Sequence, residues 1–133
     1  MARSRRAAAR VGMGAGATIC LALAASAFGV VVEGTDGSDR LVGGPQRDLL
    51  RGLGGSDTLI GRGKGDTLRA AKGADVLRPG PGEDLLRGGK GGDTLRARDG
   101  EADFLDCGRG IDTAIVDNVE DGVFDCEEVI EPT

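Results

Sequence analysis

One short pattern runs through most of this chain: an acid, one spacer, then an apolar residue, repeated every nine positions. The acids are Asp39, Asp48, Asp57, Asp66, Asp75, Asp84, Asp93, Asp103 and Asp112. Two residues after them stand Leu41, Leu50, Leu59, Leu68, Leu77, Leu86, Leu95, Leu105 and Ala114. The phase slips by one residue, once, between Asp93 and Asp103. A period of nine belongs to a repeating supersecondary unit, not to a single helix or strand. Three residues of each unit, such as Thr58-Leu59-Ile60 or Thr67-Leu68-Arg69, favour a short strand. Alternation turns the middle residue inward and its neighbours outward. The other six positions are Gly-rich and suit turns with positive φ.

Composition narrows the choice of architecture. The 133 residues include 25 Gly and three Phe, with no Trp, Tyr or His. Large aromatics cannot build this core, so Gly and Leu at fixed places must. Residues 52–60 read Gly-Leu-Gly-Gly-Ser-Asp-Thr-Leu-Ile, and residues 88–96 read Gly-Gly-Lys-Gly-Gly-Asp-Thr-Leu-Arg. This resembles the nonapeptide repeat of the RTX, or hemolysin-type calcium-binding, family, G-G-x-G-x-D-x-U-x with U apolar. The resemblance covers residues 34–115. It implies an all-β fold, a right-handed parallel β-roll in which two units close a coil of 18 residues. Stacked coils then form two parallel sheets with Leu between them.

Stacking at about 4.8 Å would align Asp39, Asp57, Asp75 and Asp93 on one edge and Asp48, Asp66, Asp84 and Asp103 on the other. Carboxylates so spaced repel unless a cation lies between them. Carboxylate and carbonyl oxygens suit calcium, whereas zinc favours His or Cys. The resemblance implies ions between loops one coil apart, held by these Asp and by turn carbonyls. The turns ending at Asp39, Asp57, Asp75, Asp93 and Asp112 keep glycine at their fourth position, as Gly37, Gly55, Gly73, Gly91 and Gly110. The other edge carries Gln46 and Lys64 there, and also Pro45, Pro79, Pro81 and the inserted residue. The first edge is therefore expected to bind calcium better, with Asp57, Asp75 and Asp93 foremost and Asp39 next. Eight inward Leu are a small core for so many ordered residues, so calcium binding is expected to couple to folding.

The two ends differ from the repeats. Residues 1–27 have a basic start (Arg3, Arg5, Arg6, Arg10), an uncharged apolar run and a closing Ala25-Ser26-Ala27. That is the layout of a secretory signal peptide; an uncleaved anchor is the alternative, because Phe28 to Val32 lengthen the run. Residues 28–33 read as a short lead-in. Cleavage would leave 13 basic and 22 acidic residues, a net charge of −9. This charge opposes nucleic-acid binding and favours cations. Residues 116–133 are expected to cap the roll, preceded from residue 107 by rising apolar content. Cys107 and Cys126 read as a disulfide in a secreted chain, with free thiols or a metal site as alternatives. Residues 117–128 also resemble an EF-hand loop, with Asp117, Asp121, Gly122 and Glu128 in place, although Val119 stands at a ligand position.

No nucleophile elbow, phosphate loop or zinc-protease motif is present, and His, the commonest general base, is missing. The reading is a secreted, monomeric, non-catalytic calcium-binding repeat protein, not embedded in a membrane. An alternative partner is an anionic cell-surface polymer. It would be bound by Arg51, Arg69 and Arg87 on one sheet face or by Arg78 and Arg96 on the other.

Overall fold

The computed structural model describes residues 7–10, 18–20, 29–117 and 122–133, the first two stretches by backbone pairing alone. The described strands are β1 (Ala7–Arg10), β2 (Thr18–Cys20), β3 (Val30–Glu33), β4 (Arg40–Val42), β5 (Leu49–Gly54), β6 (Thr58–Ile60) and β7 (Thr67–Lys72). They continue as β8 (Val76–Arg78), β9 (Leu85–Lys90), β10 (Thr94–Ala97), β11 (Phe104–Arg109), β12 (Thr113–Val116), β13 (Gly122–Phe124) and β14 (Glu128–Ile130). Odd-numbered strands form one seven-stranded sheet in chain order, and even-numbered strands form the other. Every pairing is parallel (β5 with β7 and β6 with β8, for example). A chain that alternates between two sheets in this way is a parallel β-solenoid with two strands per coil.

The nine-residue period sets the register. Leu50 faces Leu68, Leu68 faces Leu86, and Leu86 faces Leu105. On the opposite sheet Leu41, Leu59, Leu77, Leu95 and Ala114 form the matching column. All eight leucines are fully buried, each contributing about 1.5–3 kcal/mol on leaving water. The one-residue slip falls in the turn after β10, so the ladder between β9 and β11 stays in phase.

Both ends continue the roll. The residues expected as a lead-in form β3, whose Val30 and Val32 join the core. The segment expected as a cap adds one strand to each sheet, β13 on β11 and β14 on β12. Apolar side chains at this end are not all covered: Ile111, just before the segment, is 84% exposed, and Phe124, Val129 and Ile130 within it also face solvent. Phe124 stacks on Phe104 at 4.9 Å across the outer face. Cys107 and Cys126 are disulfide-bonded, with Cα atoms 5.1 Å apart. Most of the expected targeting segment lies outside the described residues; within it, β1 runs beside β3 and β2 beside β4. Among the described residues, no helix is long and apolar enough to cross a membrane.

Candidate metal centres

Each of the nine repeat aspartates stands just before a strand, with its side chain turned into the roll. All are between 0% and 5% exposed. They form two columns, one along each edge. Asp57 Oδ1 accepts the Asp39 amide at 2.8 Å, Asp75 that of Asp57 at 2.7 Å, and Asp93 that of Asp75 at 2.9 Å. The second edge repeats the device, from Asp48 to Asp66 at 2.8 Å and from Asp84 to Asp103 at 2.9 Å. From Asp48 onward each carboxylate therefore fastens its coil to the preceding one, whereas Asp39 Oδ1 is buried without a partner. Glu127 ends the first column by accepting the Asp112 amide at 2.8 Å.

The second carboxylate oxygen separates the turns into two kinds. Asp48 Oδ2 accepts the Gly44 amide of its own turn, and Asp39 Oδ2 accepts the Thr35 amide and, at 2.9 Å, the Thr35 hydroxyl. In the later turns the chain is left-handed at the second position, as at Leu53 (φ 80°), Arg62 (93°), Ala71 (89°) and Gly89 (110°). There the oxygen has no such partner: Oδ2 of Asp57, Asp66, Asp75, Asp84, Asp93 and Asp112 is buried without a hydrogen bond. A buried carboxylate oxygen left this way is costly.

What faces these oxygens is another acceptor. A Cβ added to Gly52 would lie 2.2 Å from Asp57 Oδ2 and 2.9 Å from the Ala70 carbonyl oxygen. At Gly61 the same atom would meet Asp66 Oδ2 at 2.3 Å and the Pro79 carbonyl at 2.6 Å; at Gly88, Asp93 Oδ2 at 2.4 Å and the Cys107 carbonyl at 2.6 Å. The first glycine of these turns thus leaves a niche between a carboxylate and a carbonyl of the next coil. Two acceptors converge on a cation or a proton, and hard oxygen donors of this kind fit calcium. The fourth-position glycines serve the backbone instead. A Cβ on Gly73, with φ 130°, would stand 1.7 Å from the Gly55 carbonyl oxygen, and one on Gly91 would stand 1.8 Å from that of Gly73.

Protonation reports the same environment. Desolvation raises Asp66 to about 8, helped by Asp48 and Asp84 and opposed by the Asp48 amide. Burial likewise lifts Asp75 and Asp84 to about 7 and Asp57 to about 6. Asp93 and Asp112 are raised for the same first reason.

The family model for the RTX calcium-binding nonapeptide repeat (4 copies) matches residues 33–68, 60–95 and 80–114, more than half of the chain. The chain belongs to this family. No curated protein matches it, and no solved structure does. RTX repeats bind calcium, and the two aspartate columns are the repeats' sixth positions.

Sequence reasoning about the RTX turns missed three features. The niche lies at first-position glycines, a signal present in Gly52, Gly61 and Gly88 but overshadowed by the more regular fourth position. Glu127 was legible as an acid two residues before the apolar Val129, the spacing of every repeat. Asp99 joins Asp84 and Asp103 in a carboxylate triad, which only the path of the longer turn reveals. In the segment with the EF-hand-like spacing, Asp121 lies outside the described residues, and Gly122 and Glu128 sit in β13 and β14. In the Arg row, Arg51 pairs with Glu33 at 3.2 Å and Arg87 with Asp106 at 3.6 Å.

Proposed function

We propose that this chain is an exported calcium-responsive module whose roll forms when calcium fills the niches of its two aspartate columns. The observation that carries this reading is the set of buried carboxylate oxygens lacking a hydrogen bond on Asp57, Asp66, Asp75, Asp84, Asp93 and Asp112. The ligands assigned are Asp57, Asp66, Asp75, Asp84, Asp93, Asp103 and Asp112, with turn carbonyls such as those of Ala70 and Pro79. Asp48 is assigned a turn-closing part, since Val30 and Gly44 donate to its two oxygens; Asp39 closes its turn through Oδ2 and is assigned as a ligand through Oδ1, which is buried without a partner. The role is structural rather than catalytic: the chain has no His, and the buried acids are already engaged by the coil ladder. Export fits the basic-then-apolar start, and extracellular calcium would supply the ion.

Far-ultraviolet circular dichroism of the chelated chain during calcium titration tests this, with magnesium as the control. A transition to β structure that calcium drives and magnesium does not is the expected result. Magnesium holds its waters and demands a tighter octahedron. A β signal unaffected by chelator would overturn the folding role.

A further inference from the structure

The turn between β10 and β11, residues 98–103, holds the extra residue that breaks the repeat's phase. Its path is fixed by several bonds. Asp99 Oδ1 accepts the Glu101 amide at 2.9 Å, and Arg98 Nε donates to the Val116 carbonyl at 3.2 Å. Gly100, left-handed at φ 90°, donates its amide to the Asp117 carboxylate. This path carries Asp99 to Asp84 and Asp103, so that one carboxylate oxygen from each lies within 4.8 Å of the other two. Among the described residues no other three acids meet in this way.

Two further observations point to a ligand there. Asp84 is 4% exposed, and its Oδ2 has no hydrogen-bond partner, while Oδ1 is held by the Asp66 amide at 2.5 Å. Asp99 Oδ2 is also shielded from solvent without a partner. Three carboxyl groups this close, two with a buried oxygen left over, are stabilised by a cation or a proton between them. Counted from Ala97, the first residue of this longer repeat turn, Asp99 occupies the third position, where the neighbouring turns have Lys72, Pro81, Lys90 and Arg109. Asp36 shares that position in the first turn, but it is exposed and joins no triad.

We propose that the inserted turn is a specialised calcium site, in which Asp99 adds a third carboxylate to Asp84 and Asp103. It rests on the calcium-binding reading above and goes beyond it. The irregular turn becomes the tightest site in the chain, because affinity for calcium rises with the number of charged ligands. An open groove lined by Arg47, Glu83, Asp84, Asp103 and Phe104 exposes this side of the site to solvent.

Isothermal titration of the full chain with calcium chloride tests the assignment, comparing wild type with Asp99→Asn, Asp99→Ser and Asp36→Asn. Both Asp99 variants keep an oxygen for the Glu101 amide, so the turn retains its bond. They are expected to lose one calcium, or to bind the tightest one at least about tenfold more weakly, with the remaining sites unchanged. Asp36→Asn should titrate like wild type. If either Asp99 variant keeps the wild-type count and affinities, the proposal is overturned while the calcium-binding reading stands. If wild type takes up no calcium, both are overturned.

Discussion

The acid at the sixth position has two tasks, and they respond differently to substitution. Its Oδ1 fastens neighbouring coils, and its Oδ2 faces a carbonyl. Asp75→Asn keeps an oxygen for the Asp57 amide and removes a charge from a crowded column. We expect the variant to need at least about tenfold more calcium to fold, while its calcium-free form is no less stable than wild type. Chelator-controlled calcium titrations followed by circular dichroism check both halves. Acid should imitate the metal. In the unfolded chain these carboxyls titrate near 3.8, whereas burial raises Asp57 to about 6, Asp75 to about 7 and Asp66 to about 8. The folded state therefore keeps protons that the unfolded state releases. Calcium-free stability is complete below about pH 4 and is lost as pH rises through about 6 to 8. Thermal melts in chelator across that range should show melting temperature falling with pH, and saturating calcium should flatten the trend.

At the scale of the element, the turn conformation decides what a position tolerates. Ala71 is left-handed at φ 89°, which costs a residue with a Cβ roughly 1–2 kcal/mol. Ala71→Gly should stabilise the calcium-bound roll by an amount near the lower figure and so raise its denaturation midpoint, since glycine also gains freedom when unfolded. Gly73→Ala should do the opposite and prevent a stable roll. Its Cβ would stand 1.7 Å from the Gly55 carbonyl, and neither backbone can retreat without breaking the ladder. Equilibrium denaturation of the two variants in calcium separates these outcomes. The final coil depends on a different device. The Cys107–Cys126 bond closes a separation of 19 residues, worth about 3 kcal/mol in the loop-entropy account. Reduction should expose β13 and β14 to hydrogen exchange first and leave the inner coils protected.

For the whole molecule, each coil touches only its neighbours, so stability is a sum of coils and the interfaces between them. The leucine columns make every coil alike in its core, and the aspartate columns make every interface subject to the same ion. Leu77→Ala, in the middle of a fully buried column, should cost about 2–5 kcal/mol and raise the calcium concentration needed for folding. Urea denaturation at fixed calcium measures the first effect. The same titration series used for Asp75→Asn measures the second.

The architecture was legible because a period of nine with Asp, Leu and Gly in phase is a one-dimensional signal. Repetition places like residues one above another without any long-range information, so the sheets, the leucine core and the two aspartate columns follow from counting. The disulfide partners followed from there being two cysteines downstream of the apolar start. Which aspartates keep a free Oδ2 did not follow, because it varies with the φ of second-position residues. Thr35 and Gly44 lie in turns that close on their own aspartate, whereas Leu53, Arg62 and Ala71 adopt a conformation that propensity argues against. Stacking on the coil below imposes it. The phase slip looked like a defect in the string of residues. Tertiary structure turns it into a carboxylate triad, because an extra residue changes where a turn travels and so which side chains it brings together.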